Sequence, residues 1–401
     1  MRLKIRMLSK GFPSEPFPSN GLFIYNTARI LSLENDLRMT APKAWVPPFA
    51  SFFSQRYHAI NQIPKKDNFR ELKVTRPSFV TFPRKLFYER TGEYYWNAAK
   101  DELVTNLPDI FHVHFLYPDG SVIPHLKKMF PPIPLILSIH GSDWRVNNDI
   151  SKLRPILYKN LLAADRILTV GQGLMDDICS LYPELKPKIR VNHNGIDFEG
   201  IPKLINIAEK DTFQKNKIKI FVLANYVQVK GLHILMDALR LPAMAEIDYE
   251  LILAGNILDK RYYHMILDKI ETYGLQSKVR TLGILPRNHV YALFSDCDFF
   301  VLPSMSEGFG VVLVEAMAFG KPVVTTRSGG PEDIVIAENG LLVPPGEASS
   351  LAEAIKRMSS AYVDYDSQEI VKDVNKRFSL SVLKDRLIAI YNEVLLEMRD
   401  K

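Results

Sequence analysis

A chain of 401 residues exceeds what one hydrophobic core usually organises, so two domains of ordinary size are expected. With 47% hydrophobic and 24% charged residues it reads as globular, and no apolar run approaches the ~20 residues of a membrane helix. Two cysteines, Cys179 and Cys297, lack metal-like spacing, which argues for reduced thiols rather than a disulfide framework.

The amino terminus, MRLKIRMLSKGF, alternates like a strand and not like a signal peptide, so cytoplasmic residence is the expectation. Short apolar strands and helical patterns then alternate, as parallel sheets covered by helices require. LKIRML, DIFHVHF, PLILSIHG, RILTVG and IRVNHNG read as strands, with NTARILSLEN, RPILYKNLLAAD and LMDDICSLY as helices. After a weakly patterned stretch from Glu199 to Asn216 the rhythm restarts with KIFVLANY, YELILAG, VRTLGIL, DFFVLPS, KPVVTTRSG and GLLVPP. Helices such as HILMDALRL and YYHMILDKIETYG lie between them, and SVLKDRLIAIYNEVLLEMR closes the chain with helical apolar spacing. The expected division is residues 1–198, a linker at 199–216, a second Rossmann-like domain at 217–378 and a final helix at 379–401.

Net charge is only +6, yet from Ala41 to Arg90 ten Lys or Arg face three Asp or Glu. The same stretch carries Trp45, Phe49, Phe52, Phe53, Tyr57, Phe79, Phe82, Phe87 and Tyr88. Basic and aromatic residues together suit an anionic membrane surface or a glycan; a packed insertion with a solvated basic face is the alternative. No nucleic-acid motif accompanies the charge, so nucleic acid is not expected as a partner.

The segment Ser304 to Val335 has the form of a binding site. A strand runs into Glu307, a Gly308-Phe309-Gly310 turn and a helix beginning near Gly310 that contains Glu315. Glycines let backbone approach a ligand, the helix start offers unpaired N–H groups that suit phosphate, and the two carboxylates accept from hydroxyls.

These residues resemble the signature of glycosyltransferase family 4: two glutamates with seven residues between them, Gly-Phe-Gly among these. The resemblance implies an α/β fold of two Rossmann-like domains facing each other across a cleft, the GT-B fold, with the last helix crossing back to the first domain. It implies a retaining sugar transferase that uses a nucleotide diphosphate sugar as co-substrate, a UDP-sugar being the leading expectation, with no cofactor and no metal. The acceptor is expected to be a glycan or a lipid-linked glycan, with the enzyme cytoplasmic or peripheral at the inner membrane face. The PSNGLF start and the aromatic-basic insertion look most like enzymes of teichuronic-acid or other surface-polysaccharide assembly.

Within that resemblance, His140 of the loop His140-Gly141-Ser142-Asp143 is the expected catalytic histidine beside the sugar, and Asp143 lies on the acceptor side. Lys230, followed by Gly231, matches the family's lysine, a fixed cation for the leaving diphosphate. Glu307 is expected to orient sugar hydroxyls and Glu315 the ribose, with Gly308, Phe309, Gly310 and Val311 at the phosphates. Gly21 matches the glycine turn before the first helix, Ile284 the position that holds the nucleobase, and Tyr117 and Asp119 the acceptor side. One departure stands out: Asn225 occupies the position where the family usually has arginine, so either Lys230, backbone amides and a nearby arginine suffice for the neutralisation, or activity is weakened.

Two apparent metal pairs are read otherwise. His112 and His114 share one strand face but lack a third ligand with supporting spacing, and Asp296 and Asp298 precede a buried strand as connectors. Gly171 and Gly173 form a plain strand-to-helix turn. Two other readings remain on the residues alone: a two-Rossmann phosphorylase or nucleotide-sugar epimerase, and a non-catalytic partner subunit of a glycosyltransferase.

Overall fold

The computed structural model describes residues 2–82, 86–198, 200, 201, 214 and 216–399. It divides into two compact units, Met1–Gly195 with Leu380–Lys401, and Ile196–Ser379. Most of the expected linker at 199–216 lies outside the described residues.

In the first unit the strands are β1 (Lys4–Leu8), β2 (Asp36–Thr40), β3 (Lys43–Ala44), β4 (Lys66–Phe69), β5 (Leu72–Thr75), β6 (Ser78–Phe79), β7 (Ile110–His114), β8 (Leu135–Ile139), β9 (Arg166–Thr169) and β10 (Ile189–Val191). The main sheet runs β10-β9-β8-β7-β1-β2-β5-β4, parallel throughout except for the antiparallel β4–β5 edge. Every residue of β7, β8 and β9 is buried, as expected of strands covered by helices on both faces. The strands β2, β4 and β5 were not legible as strands. DLRMT and KDNF carry charge at alternate or outward positions, and pairing with β1 and β5 overrides their weak local pattern.

The last helix, Leu380–Arg399, belongs to this first unit. Its Leu383, Leu387, Tyr391 and Val394 join one apolar core with Ile5 and Met7 of β1 and with Ile24 and Ala28 of the helix Leu22–Ser32. Ion pairs Lys384–Glu34 at 2.5 Å and Arg166–Glu397 at 2.6 Å flank that packing.

The second unit contains β11 (Ile218–Leu223), β12 (Tyr249–Ala254), β13 (Val279–Leu282), β14 (Phe299–Leu302), β15 (Val323–Thr326) and β16 (Gly340–Val343), in the parallel order β13-β12-β11-β14-β15-β16. β12, β14 and β15 are buried along their whole length. In both sheets the loops that leave the carboxyl ends of the strands carry the chemistry-bearing residues, where open parallel sheets bind ligands.

Candidate functional site

In the second unit two strand-end loops are stitched together. The Met305 N–H donates to the Val229 carbonyl at 2.8 Å, joining the loop after β14 to the short turn Gln228–Lys230 after β11. Lys230 Nζ thereby lies 2.5 Å from Glu307 Oε2, and the Ser304 hydroxyl donates to the same oxygen at 3.1 Å. Glu307 is held by its own N–H, which donates to the Ser328 carbonyl at 2.9 Å. The chain then turns through Gly310 at φ 99°, a left-handed conformation that favours glycine, into the helix Val311–Ala318. The helix start, whose first N–H groups suit a phosphate, thus follows three residues after Glu307, the carboxylate that pairs with the Lys230 ammonium.

Further along that helix, Glu315 is buried and pairs with Arg287 of the helix Arg287–Asp296. Desolvation alone would lower the Arg287 guanidinium, but Glu315 and the Tyr291 hydroxyl raise it above its ordinary value. Arg287 was missed as a named site residue, because helical spacing alone does not show which strand-end helix faces Glu315. Asn225 is exposed, and its Oδ1 accepts from the Asn256 N–H at 3.3 Å, tying the loops after β11 and β12. Ile284 is exposed on the loop after β13, whose Gly283 carbonyl accepts from the Gly255 N–H at 3.2 Å. Phe309 is buried: its ring packs against Phe378 with centroids 5.4 Å apart, and its backbone lies so close to Gly330 that a Cβ there would meet Phe309 Cα at 2.4 Å.

In the first unit His140 follows β8 and packs among rings. Phe23, Phe115 and His114 lie with centroids 4.8, 4.9 and 5.3 Å away. Phe23 is delivered by the turn at Gly21, whose φ is 63° and where a Cβ would meet the Gly11 carbonyl oxygen at 1.4 Å, so no larger residue fits. Burial pushes the His140 imidazole down to about 3, which leaves it neutral at ordinary pH.

The acceptor-side residues hold the interior instead of offering free contacts. Asp143 accepts through one oxygen from the His140 N–H at 2.9 Å and through the other from the Leu116 N–H at 2.7 Å, so it fixes the His140 loop to the loop after β7. Asp119 is fully buried and accepts from the Lys10 N–H and the Tyr95 hydroxyl, both at 2.6 Å; burial raises it to about 6. The Tyr117 hydroxyl is buried, donating to the Tyr88 carbonyl at 2.5 Å and accepting from the Gly92 N–H at 3.0 Å. The Tyr117 hydroxyl thus serves the segment 88–92, and Asp119 Oδ1 serves Lys10 and Tyr95, while Asp119 Oδ2 is buried with no hydrogen-bond partner among the described residues.

Among the described residues no group of three His, Cys, Asp or Glu is arranged to hold a metal. Asp296 pairs with Lys219 Nζ at 2.8 Å, and Asp298 accepts from the Lys219 N–H at 2.7 Å. Cys179 and Cys297 are free thiols. No helix among the described residues is long and apolar enough to cross a membrane.

The family model for glycosyl transferases group 1 matches residues 205–373, and that for glycosyltransferase family 4 matches residues 56–199. An uncharacterized glycosyltransferase of Methanocaldococcus jannaschii, MJ1178, is 32% identical over 291 residues, covering 71% of this chain and 76% of its own. TuaC of Bacillus subtilis strain 168, whose name assigns it provisionally to teichuronic acid biosynthesis as a glycosyltransferase, is 24% identical over 367 residues, 88% of this chain and 89% of its own. Among solved structures, Anabaena HepE in complex with UDP superposes with a TM-score of 0.70 at 20% identity, over 98% of this chain and 100% of its own.

Proposed function

This chain belongs to glycosyltransferase family 4 and has the GT-B fold, and we propose that it moves a sugar, with retention, from a UDP-sugar to a hydroxyl of a glycan or lipid-linked glycan during surface-polysaccharide assembly. The observation that carries this reading is the meeting of Lys230 and Glu307 beside the start of the helix Val311–Ala318. A diphosphate there would take the Lys230 ammonium and the helix N–H groups as counter-charge while bonds break, where fixed dipoles act most strongly. Glu307, released from Lys230, would accept from sugar hydroxyls, and Glu315 from the ribose.

UDP as the nucleotude part rests on the Anabaena relative, whose structures hold UDP or UDP-glucose.

 Retention without a side-chain nucleophile needs the leaving phosphate and the incoming hydroxyl on the same sugar face, where the phosphate takes the acceptor proton as the new bond forms and the old one breaks. Contact with an anionic membrane through the aromatic-basic stretch would bring a lipid-linked acceptor within reach.

A panel of nucleotide diphosphate sugars, screened by thermal shift and then by release of nucleoside diphosphate, tests the reading. UDP and one UDP-sugar should raise the melting temperature, and turnover should persist in chelator. NMR of the product would show the anomeric configuration of the donor preserved. Free sugar phosphate or an epimerised donor as product would replace the reading with phosphorylase or epimerase chemistry. Binding without turnover on any acceptor would favour a partner subunit.

A further inference from the structure

Three histidines of the first unit lie in a row, His112 and His114 buried and His140 half-buried. His112 stacks on His114 with ring centroids 4.3 Å apart, and His114 and His140 lie edge to edge, with centroids 5.3 Å and planes only 11° apart. His112 uses both ring nitrogens: Nδ1 lies 2.6 Å from the hydroxyl of Tyr391 in the last helix, and Nε2 lies 2.7 Å from Ser138 Oγ. His114 Nδ1 lies 3.1 Å from His140 Nε2. The outer nitrogens of that second pair, His114 Nε2 and His140 Nδ1, are buried without a hydrogen-bond partner among the described residues. Both rings line a small cavity shared with Thr27, Asn192 and Asn194, and Asn192 Oδ1 is buried without a partner as well.

We propose that His114 is the positioning residue of His140, setting its ring plane and its tautomer through the Nδ1–Nε2 hydrogen bond. The consequence follows from proton counting. A neutral imidazole has one N–H and one lone pair, and this bond needs one of each. If His114 donates from Nδ1, His140 carries its proton on Nδ1; if His140 donates from Nε2, His114 carries its proton on Nε2. The two rings therefore always share one tautomer and can change it only together. His112, anchored by Tyr391 and Ser138, supports the stack from the other side. The orphan nitrogens and Asn192 Oδ1 give the cavity the polar lining that a bridging water requires. The functional part of this inference rests on the reading of His140 as the group beside the sugar; the tautomer coupling does not.

The test is nitrogen NMR of the full-length protein carrying 15N-histidine, with ring signals assigned through single substitutions. His114 and His140 should show the same neutral tautomer near neutral pH. His114→Phe keeps a stacked ring but removes the bond, and should leave His140 averaging between tautomers and lower kcat for donor turnover by up to ~100-fold with KM nearly unchanged. In His114→Asn an amide near the former Nδ1 restores both the His140 signal and much of the kcat. Opposite or averaged tautomers in the unsubstituted protein would overturn the coupling, whatever the donor proves to be. Full kcat in His114→Phe would overturn the positioning role even with matched tautomers. Failure of every donor to turn over would count against the function proposed above while the NMR result still decides the coupling.

Discussion

Lys230 Nζ and Glu307 Oε2 meet at 2.5 Å although 77 positions separate them in the chain, and their side chains are only 22% and 15% exposed. Lys230→Ala would leave a shielded carboxylate that still accepts from the Ser304 hydroxyl, so a loss of roughly 1–3 kcal/mol is expected, less than for a fully buried pair because water still reaches it. Turnover should fall by about two orders of magnitude, the scale of one preorganised electrostatic contact. The double substitution Lys230→Ala with Glu307→Ala should regain part of the stability and none of the turnover. Urea unfolding alongside donor-turnover assays separates the two effects; near wild-type turnover in either single variant would remove the pair from the site.

Asn225→Arg asks whether the missing arginine is a loss or an adaptation. The side chain is exposed, so a guanidinium has room, at the expense of the 3.3 Å contact from the Asn256 N–H. Binding of nucleoside diphosphate, measured by calorimetry, should tighten while binding of the nucleoside stays constant, because a fixed cation acts on phosphate and not on ribose. Weaker binding of both would mean that the loops after β11 and β12 depend on asparagine.

The aromatic stretch presents a wedge at its tip. Phe52 and Phe53 are 88% and 85% exposed, Phe49 and Trp45 are exposed beside them, and Arg56, Lys65, Lys66, Arg70 and Lys73 are exposed in the same stretch. The wedge is braced by Asn61 Nδ2, which donates to Ser51 Oγ at 2.7 Å. Arg84 and Lys85, basic residues of the same stretch, lie outside the described residues. Replacing Phe49, Phe52 and Phe53 together by Ser should abolish co-sedimentation with anionic liposomes and leave donor affinity intact. Replacing Lys65 and Lys66 by Ala should weaken it mainly at low salt, each charge being worth about 1 kcal/mol at such a surface. If the unsubstituted protein stays in the supernatant at low salt, the wedge serves a glycan or a protein instead.

Stability should fall on mild acidification. Burial lowers His112 and His140 to about 3 from the ordinary 6.5, and it lowers His114 as well. A depressed folded-state value means that their contribution is complete above pH 6.5 and is lost as pH falls from there towards 3, by at most about 1.4 kcal/mol per pH unit for each histidine. Asp119, raised by burial from 3.8 to about 6, has the opposite sign: its contribution is complete below its unfolded value and is lost as pH rises through 6. Asp143 is shifted in the same direction as Asp119. Three histidines against two carboxyl groups leave a net loss between pH 7 and 5, read by urea unfolding, and His112→Gln should flatten that slope. A stability that rises over this interval would show that these histidines are not neutral in the folded protein.

Much of this molecule was legible in its residues. The strands β7, β8, β12 and β14 are mainly apolar and buried at every position, so local pattern and tertiary environment agree. The Glu307 to Glu315 segment declared itself because a glycine turn, a helix start and two carboxylates are encoded within a few consecutive residues. Side-chain partnership was not legible. Nothing in the spacing of His112, His114 and His140 says that the first bonds Tyr391 across 279 positions while the other two bond each other. The pairing of Arg287 with Glu315 and the burial of Tyr117 and Asp119 are of the same kind. Hydrophobic period and turn chemistry are local properties that a chain carries in order, whereas the partners of a polar group depend on which strand ends the sheet brings side by side, and only the folded chain decides that.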